Sequence, residues 1–306
     1  MVRAFDSHSK GPRFESWCAQ SIMINMNQKQ RVINYYEATH IDYRALWTGS
    51  DNRAVHFGYY DAQARNHGSA LLRMNEVLAE SVHITSTDTV LDAGCGYGGS
   101  AMWLAQKYGC RVTGITVSPL QAQKGQRYVR ERGLEKIVKV LEDDYSNLNF
   151  KEDYFDVYWA LESLVHAEDR DRVLEEAYRV LKPGGRIVIA EYTLRDDPML
   201  TKAEQEYLIP WLRGWAMPKL LTRKEVVEAL ERGGFQEIRA VDVTNHVRPS
   251  LRRLEILSVL NYPIALFIAP LFFRRERLEN YYGFRRQINA FKKNMWHYSI
   301  ITARKP

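Results

Sequence analysis

The chain has 306 residues, 45% hydrophobic and 26% charged, which excludes a disordered or fibrous polypeptide and suffices for one large core with added segments. Its net charge of +6 belongs to one tail: from Arg252 onward there are 11 Lys and Arg against 3 Asp and Glu, leaving 32 against 34 for the rest. Such a tail suits a solvated helix face first, and nucleic acid, anionic lipid or an acidic substrate second.

Residues 1–30 are polar and irregular, and they contain no apolar run of signal-peptide length. Three cysteines, Cys18, Cys95 and Cys110, show no paired spacing for a disulfide or a metal. Both features predict a reducing, cytoplasmic compartment. From Gln30 to Asp61 aromatics crowd among polar residues, the pattern of a helix and loop closing over a pocket. Residues 70–82, ALLRMNEVLAESV, carry apolar positions at helical spacing.

A regular alternation follows. TVLDAGCG, CRVTGITV, IVKVLEDD, DVYWAL and RIVIAEY read as strands, with helices over SAMWLAQKYG, Pro119–Arg132 and Arg170–Leu181 between them. Parallel neighbours need a crossover, so the class is α/β with a parallel sheet. Two helical segments, LTKAEQEYLIPWLRGWAM and TRKEVVEALERGGF, then interrupt the pattern, and EIRAVDVT and HYSIITARK return as strands around an insertion. Within it Ile256–Phe273 is free of charge and flanked by arginines. Asn261, Pro263 and Pro270 argue against a membrane span, because they would leave backbone groups unsatisfied in lipid.

GCGYGG, Gly94–Gly99, sits between a strand and a helix, where glycines let a ligand approach the backbone. The match to G-x-G-x-x-G admits a nicotinamide dinucleotide as well as S-adenosylmethionine. Asp92 would repel a pyrophosphate and attract ammonium and sulfonium groups. Thr116 stands where a dehydrogenase would place its ribose-binding acid, so Thr116 and Gln121 are candidates for the ribose. Asp144 and Tyr145, ending the third strand, suit the adenine amine and ring face.

Together VLDAGCGYGGSAMWLA, VTGITVSPLQ, DDYSNLNF, FDVYWALESLVHAED, RVLKPGGRIVIAEY and LTRKEVVEALERGGF resemble the class I methyltransferases, in particular the sterol and tocopherol C-methyltransferases and related natural-product enzymes. The similarity spans about Tyr35 to Thr244. It implies a seven-stranded Rossmann-like sheet with a helical N-terminal lid and a C-terminal helical cap insertion. The divisions expected are an arm and lid over 1–69 and a core over 70–306, with cap insertions at about 195–222 and 249–290. The cofactor implied is S-adenosylmethionine, held by Tyr36, Asp92, Gly94, Gly96, Thr116, Gln121, Asp144, Tyr145 and Ala160. Thr116 in place of the acid is a departure shared with the sterol and cyclopropane-synthase branches.

Glu162 and His166 follow the fourth strand at its carboxyl edge and would share a face if the segment were helical. If an alkene carbon is methylated, the resulting cation needs a negative surround and then a base. Glu162 suits the first task and His166 the second; for a hydroxyl acceptor His166 alone suffices. The plainer alternative is a structural carboxylate and a satisfied loop histidine. Tyr35, Tyr36, His56, Tyr59 and Tyr60 are lid candidates, of which Tyr35, His56 and Tyr59, with Trp211 and Trp215, are expected to line the acceptor pocket; ordinary core packing is the alternative. The eight histidines make no HExxH or His/Cys cluster, so no metal is expected. The segment Trp159–Glu162, WALE, is not an NPPY-like base-methylation motif, which disfavours nucleic acid. Partners expected are a hydrophobic small molecule and, through Ile256–Phe273, a peripheral membrane surface or a second copy of the chain.

Overall fold

The computed structural model describes residues 26–42, 53–260 and 275–306. Seven strands form one sheet: β1 (Thr89–Ala93), β2 (Arg111–Thr116), β3 (Val138–Glu142), β4 (Phe155–Leu161), β5 (Leu181–Leu194), β6 (Gln236–Asp242) and β7 (Trp296–Arg304). Their order is β3-β2-β1-β4-β5-β7-β6. All neighbours pair in parallel except β7, which runs antiparallel to β5 and β6. The chain winds outward from β1 to β3 and then returns to place β4 beside β1. That reversal opens a crevice at the carboxyl ends of β1 and β4, where open α/β sheets take ligands.

Strand alternation sends neighbouring side chains to opposite faces of the sheet. Val90, Val157, Trp159 and Val188 join one apolar cluster. Leu91, Tyr158, Ala160 and Ile189 join the other. Helices cover both faces: α1 (Gln28–Asp42), α2 (His67–Ser81), α3 (Gly99–Tyr108), α4 (Pro119–Glu131), α5 (Arg170–Val180), α6 (Lys202–Gly214), α7 (Arg223–Arg232), α8 (Thr244–Leu260) and α9 (Arg275–Lys292). Their starts follow local chemistry. Ser118 caps α4 with Pro119 in its first turn, Asp169 caps α5, and Thr201 with Glu204 and Thr222 with Glu225 form capping boxes on α6 and α7.

Helices α6 and α9 pack on one another as a cap beside the sheet. A side chain on Gly214 would begin 2.3 Å from the Glu279 carbonyl oxygen, so only glycine allows this approach. At the end of α8, Ile256 and Val259 are 60% and 64% exposed. The remainder of the apolar segment, 261–273, lies outside the described residues, as does most of the N-terminal arm. Among the described residues no helix is long and apolar enough to cross a membrane.

Candidate active site

A cavity of about 490 Å³ occupies the crevice, floored by the loops after β1, β2, β3 and β4 and roofed by α1 and residues 53–56. Gly94 has φ of 86°, and a side chain there would begin 2.4 Å from Ser163 Cβ; the turn closes against the loop after β4 because position 94 is glycine. The amides of Gly94 and Cys95 donate to the Ile115 carbonyl, fixing the loop to β2.

Asp92, only 3% exposed, accepts one bond from the Ala101 amide, while its Oδ2 has no partner. Burial raises its pKa to about 7. A carboxylate oxygen left bare in a cavity wall is costly and suits a cationic ligand group. Thr116 Oγ1 donates to Gln121 Oε1 at 2.7 Å, and Gln121 Nε2 lies 3.9 Å from where a side chain on Gly96 would begin. The threonine proton is thus committed, and the Gln121 amide is the donor turned toward the glycine loop. Asp144 Oδ1 accepts from the amide and hydroxyl of Ser146, and its Oδ2 lies 3.8 Å from Lys29 Nζ. Tyr145 donates to the Ser163 carbonyl, and burial pushes its phenol well above the ordinary value.

Glu162 follows β4 in a left-handed conformation, φ 52°, just before a 3-10 turn, Leu164–His166. It and His166 therefore do not share a helix face, yet both line the cavity. The Glu162 carboxylate accepts from the Phe57 amide at 2.7 Å, Tyr298 at 2.8 Å and Tyr192 at 2.5 Å. Burial outweighs these donors and holds its pKa at about 7. His166 Nδ1 lies 3.3 Å from the Ala216 carbonyl, which can only accept, so the proton sits on Nδ1. Nε2 then accepts from Tyr36 Oη at 2.9 Å. Burial lowers the pKa of His166 to about 4, keeping it neutral. Gln28 Nε2 donates to the carbonyls of His166 and Ala216, tying α1 to the same corner.

Of the expected cofactor residues, Tyr36, Asp92, Gly94, Gly96, Thr116, Gln121, Asp144 and Tyr145 line the cavity, and Ala160 does not. Its side chain points into the opposite cluster, because β4 alternation turns Leu161 rather than Ala160 toward the crevice. Of the expected acceptor residues His56 alone lines the cavity; it donates from Nδ1 to the Phe57 carbonyl, and burial lowers its pKa to about 4. Tyr35 turns inward to Asn280, and Tyr59 stacks on His246 at 4.1 Å. Trp211 and Trp215 pack against Tyr192, with ring centres 5.7 and 5.9 Å away, as core of the cap. Tyr60 bonds His67.

Sequence reasoning missed Ser163, Arg53, Tyr192 and Tyr298. The two tyrosines are direct cross-strand partners on β5 and β7, a pairing that no local pattern announces. Ser163 follows Glu162 in the motif already singled out, and its buried Oγ has no partner in the cavity wall.

Comparison with known proteins agrees with this architecture. A family model described as a methyltransferase domain matches residues 91–189. The chain is 35% identical over 227 residues to methyltransferase GfsG of Streptomyces halstedii, covering 72% of this chain and 78% of that one. It is 31% identical to the glycine/sarcosine/dimethylglycine N-methyltransferase of Actinopolyspora halophila over 89% of this chain but 46% of that protein. It is 33% identical to the sterol 24-C-methyltransferase of Eremothecium gossypii over 68% of this chain and 57% of that protein. The crystal structure of the [4+2]-cyclase SpnF superposes with a TM-score of 0.76 at 26% identity, over 92% of this chain and 97% of that one.

Proposed function

The chain belongs to the S-adenosylmethionine-dependent methyltransferase family, and on that premise we propose that it methylates carbon in a hydrophobic, isoprenoid-like or other natural-product acceptor. The competing nicotinamide reading of the glycine loop gives way to the family. When bound, the donor supplies an electrophilic methyl group on a sulfonium. The residues present fit it: the bare Oδ2 of Asp92 suits its ammonium, Gln121 held by Thr116 its ribose, and Asp144 with Tyr145 its adenine. Tyr36 closes the same space from α1.

The observation that carries carbon as the acceptor atom is the Glu162 carboxyl in the cavity wall, backed by Phe57, Tyr192 and Tyr298 and holding a pKa of about 7. An alkene whose π electrons bond the methyl carbon, as the methyl–sulfur bond breaks and its electron pair stays on sulfur, would be left as a cation. Negative charge and aromatic faces stabilise it, and transfer of an adjacent proton to Glu162 restores the alkene. Glu162 thus performs both tasks, and His166, neutral and bonded to Tyr36, positions the roof. A second reading, O-methylation, is favoured by that same Tyr36–His166 pair, in which Nε2 accepts the proton of an acceptor hydroxyl relayed through the tyrosine.

The test is methyl transfer from labelled donor to a panel of isoprenoid alkenes and matched phenols. Carbon-methylated product that disappears in Glu162→Gln, with S-adenosylhomocysteine still bound, supports the proposal. Product on oxygen alone, lost in Tyr36→Phe and His166→Asn and retained in Glu162→Gln, replaces it with the second reading. A chain that binds NADH and ignores S-adenosylhomocysteine sinks both.

A further inference from the structure

The loop between β4 and α5, residues 162–169, carries Glu162 and His166 into the cavity wall. Three consecutive residues of β5 hold it. The Ala190 carbonyl accepts from the Glu162 amide at 2.8 Å, and Tyr192 donates to the Glu162 carboxylate at 2.5 Å. Between them Glu191 accepts from Nη1 of Arg170, the first residue of α5. Strand alternation turns Glu191 and Tyr192 to opposite faces of the sheet, so the loop is clasped at its start from one face and at its end from the other.

The Arg170–Glu191 pair is poorly built for stability. Arg170 is 6% exposed and Glu191 fully buried, yet Nε and Nη2 of the arginine and Oε2 of the glutamate make no hydrogen bond. Arg186 shows the alternative: less buried, it donates to the carbonyls of Val82 and His83 as well as to Asp88. A buried pair offsets its loss of water only when its remaining donors and acceptors are bonded, and apolar side chains of similar volume often stabilise as well or better. What apolar side chains do not supply is direction. A charge-assisted bond from a central strand to the end of the loop sets where that loop rejoins the sheet.

We propose that Arg170 and Glu191 are positioning residues for the reaction, their pair fixing the end of the loop and thereby the placement of Glu162 and His166 in the cavity wall, an assignment that rests on the reading of Glu162 above. Neither residue lines the cavity, so neither touches donor or acceptor. Their influence reaches the chemistry through residues 163–169, where a displacement of about 1 Å at a reacting group costs about 10²-fold in rate.

The test replaces the pair instead of breaking it. Arg170→Met with Glu191→Leu in the full chain removes both charges and leaves apolar side chains in their place, and this variant is expected to fold and to bind S-adenosylhomocysteine as the wild type does. Its kcat with the isoprenoid alkene methylated in the panel should fall by about 10²-fold, with KM changed far less. The amides of His166 and Ala167, which donate to the Ser163 and Leu164 carbonyls, should lose protection from hydrogen exchange while α5 and β5 keep theirs. Added to Glu162→Gln, the double replacement should cause no further loss, because both act through one group. Wild-type kcat or wild-type exchange in the folded variant overturns the proposal. So does a variant that does not fold, which makes the pair structural, and so do losses that multiply with that of Glu162→Gln. Unchanged kcat in Glu162→Gln alone sinks the reading of Glu162 itself, an outcome seen with the pair intact and so distinct from failure of its positioning role.

Discussion

The floor and the roof of the cavity are built on different length scales. In the floor, Thr116 bonds Gln121 five residues on, Ser118 caps the same helix three residues before Gln121, and Asp144 bonds Ser146 two residues on. At the loop after β4, where the floor meets the roof, Tyr36 meets His166 across 130 residues, Phe57 meets Glu162 across 105, and Tyr298 meets Glu162 across 136. A ligand site made of local turns is positioned as soon as its strands pair. One made of distant partners exists only when the whole chain is folded, so the division predicts binding at the local turns after β1, β2 and β3 and turnover at the loop after β4, where distant partners meet.

The sharpest way to break this division is Glu162→Gln. Turnover should fall by about 10²- to 10⁴-fold, the scale of a lost general base, while S-adenosylhomocysteine affinity stays unchanged. Single-turnover kinetics beside calorimetry check it, and normal activity removes Glu162 from the chemistry. Asp92→Ala is the converse: it leaves the ligand ammonium buried and unpaired, about 3–5 kcal/mol, so affinity should fall by about 10²-fold or more. Calorimetry reads that loss, and an unaltered affinity would detach Asp92 from the ligand.

A pH series sharpens the same contrast. The folded pKa of Asp92 is about 7 against an ordinary 3.8, so below pH 7 the carboxyl is protonated and must lose its proton to meet an ammonium. S-adenosylhomocysteine affinity should weaken as pH falls below about 7, by no more than about tenfold per pH unit, and Asp92→Asn should flatten the profile. Stability without ligand runs the other way. Asp92 and Glu162 both have folded pKa values raised to about 7, so the native state holds protons that the unfolded chain has released. Their contribution is fully present below about pH 4 and is lost as pH rises toward and through 7. Denaturant midpoints at pH 5 and 8 test the sign. The smallest effect is expected from Tyr36→Phe, which deletes one hydrogen bond to His166. If His166 positions the roof, the cost is about 1 kcal/mol, or roughly fivefold in kcat/KM, measured by steady-state kinetics. A loss as large as that of Glu162→Gln would move the chemistry to the Tyr36–His166 pair.

Much of the floor was legible. Asp92, Gly94, Thr116, Gln121, Asp144 and Tyr145 lie in strand-to-helix turns that the alternation of β and α segments marks out, and they meet in one cavity. Ala160 faces away from the cavity, and knowing that a strand is present does not say which alternate residue turns toward the crevice. The roof resisted more strongly. Tyr35, Tyr59, Trp211 and Trp215 have the composition of a pocket wall, yet they are taken up by Asn280, His246 and the tryptophan cluster. An aromatic side chain serves core and pocket equally well, and its neighbours decide which.

The amino-acid sequence by itself determined the succession of strands and helices, the glycine turn and the carboxylate beside it, because strand periodicity, helix caps and left-handed turns are short-range properties. Only the tertiary structure decided that Tyr192 and Tyr298 converge on Glu162, that Tyr36 reaches His166, and that Arg53 Nε and Asp92 Oδ2, two atoms buried without a hydrogen bond, belong to residues lining one cavity. Those relations depend on which strands pair and which helices pack, and no window of local sequence contains both members of such a contact.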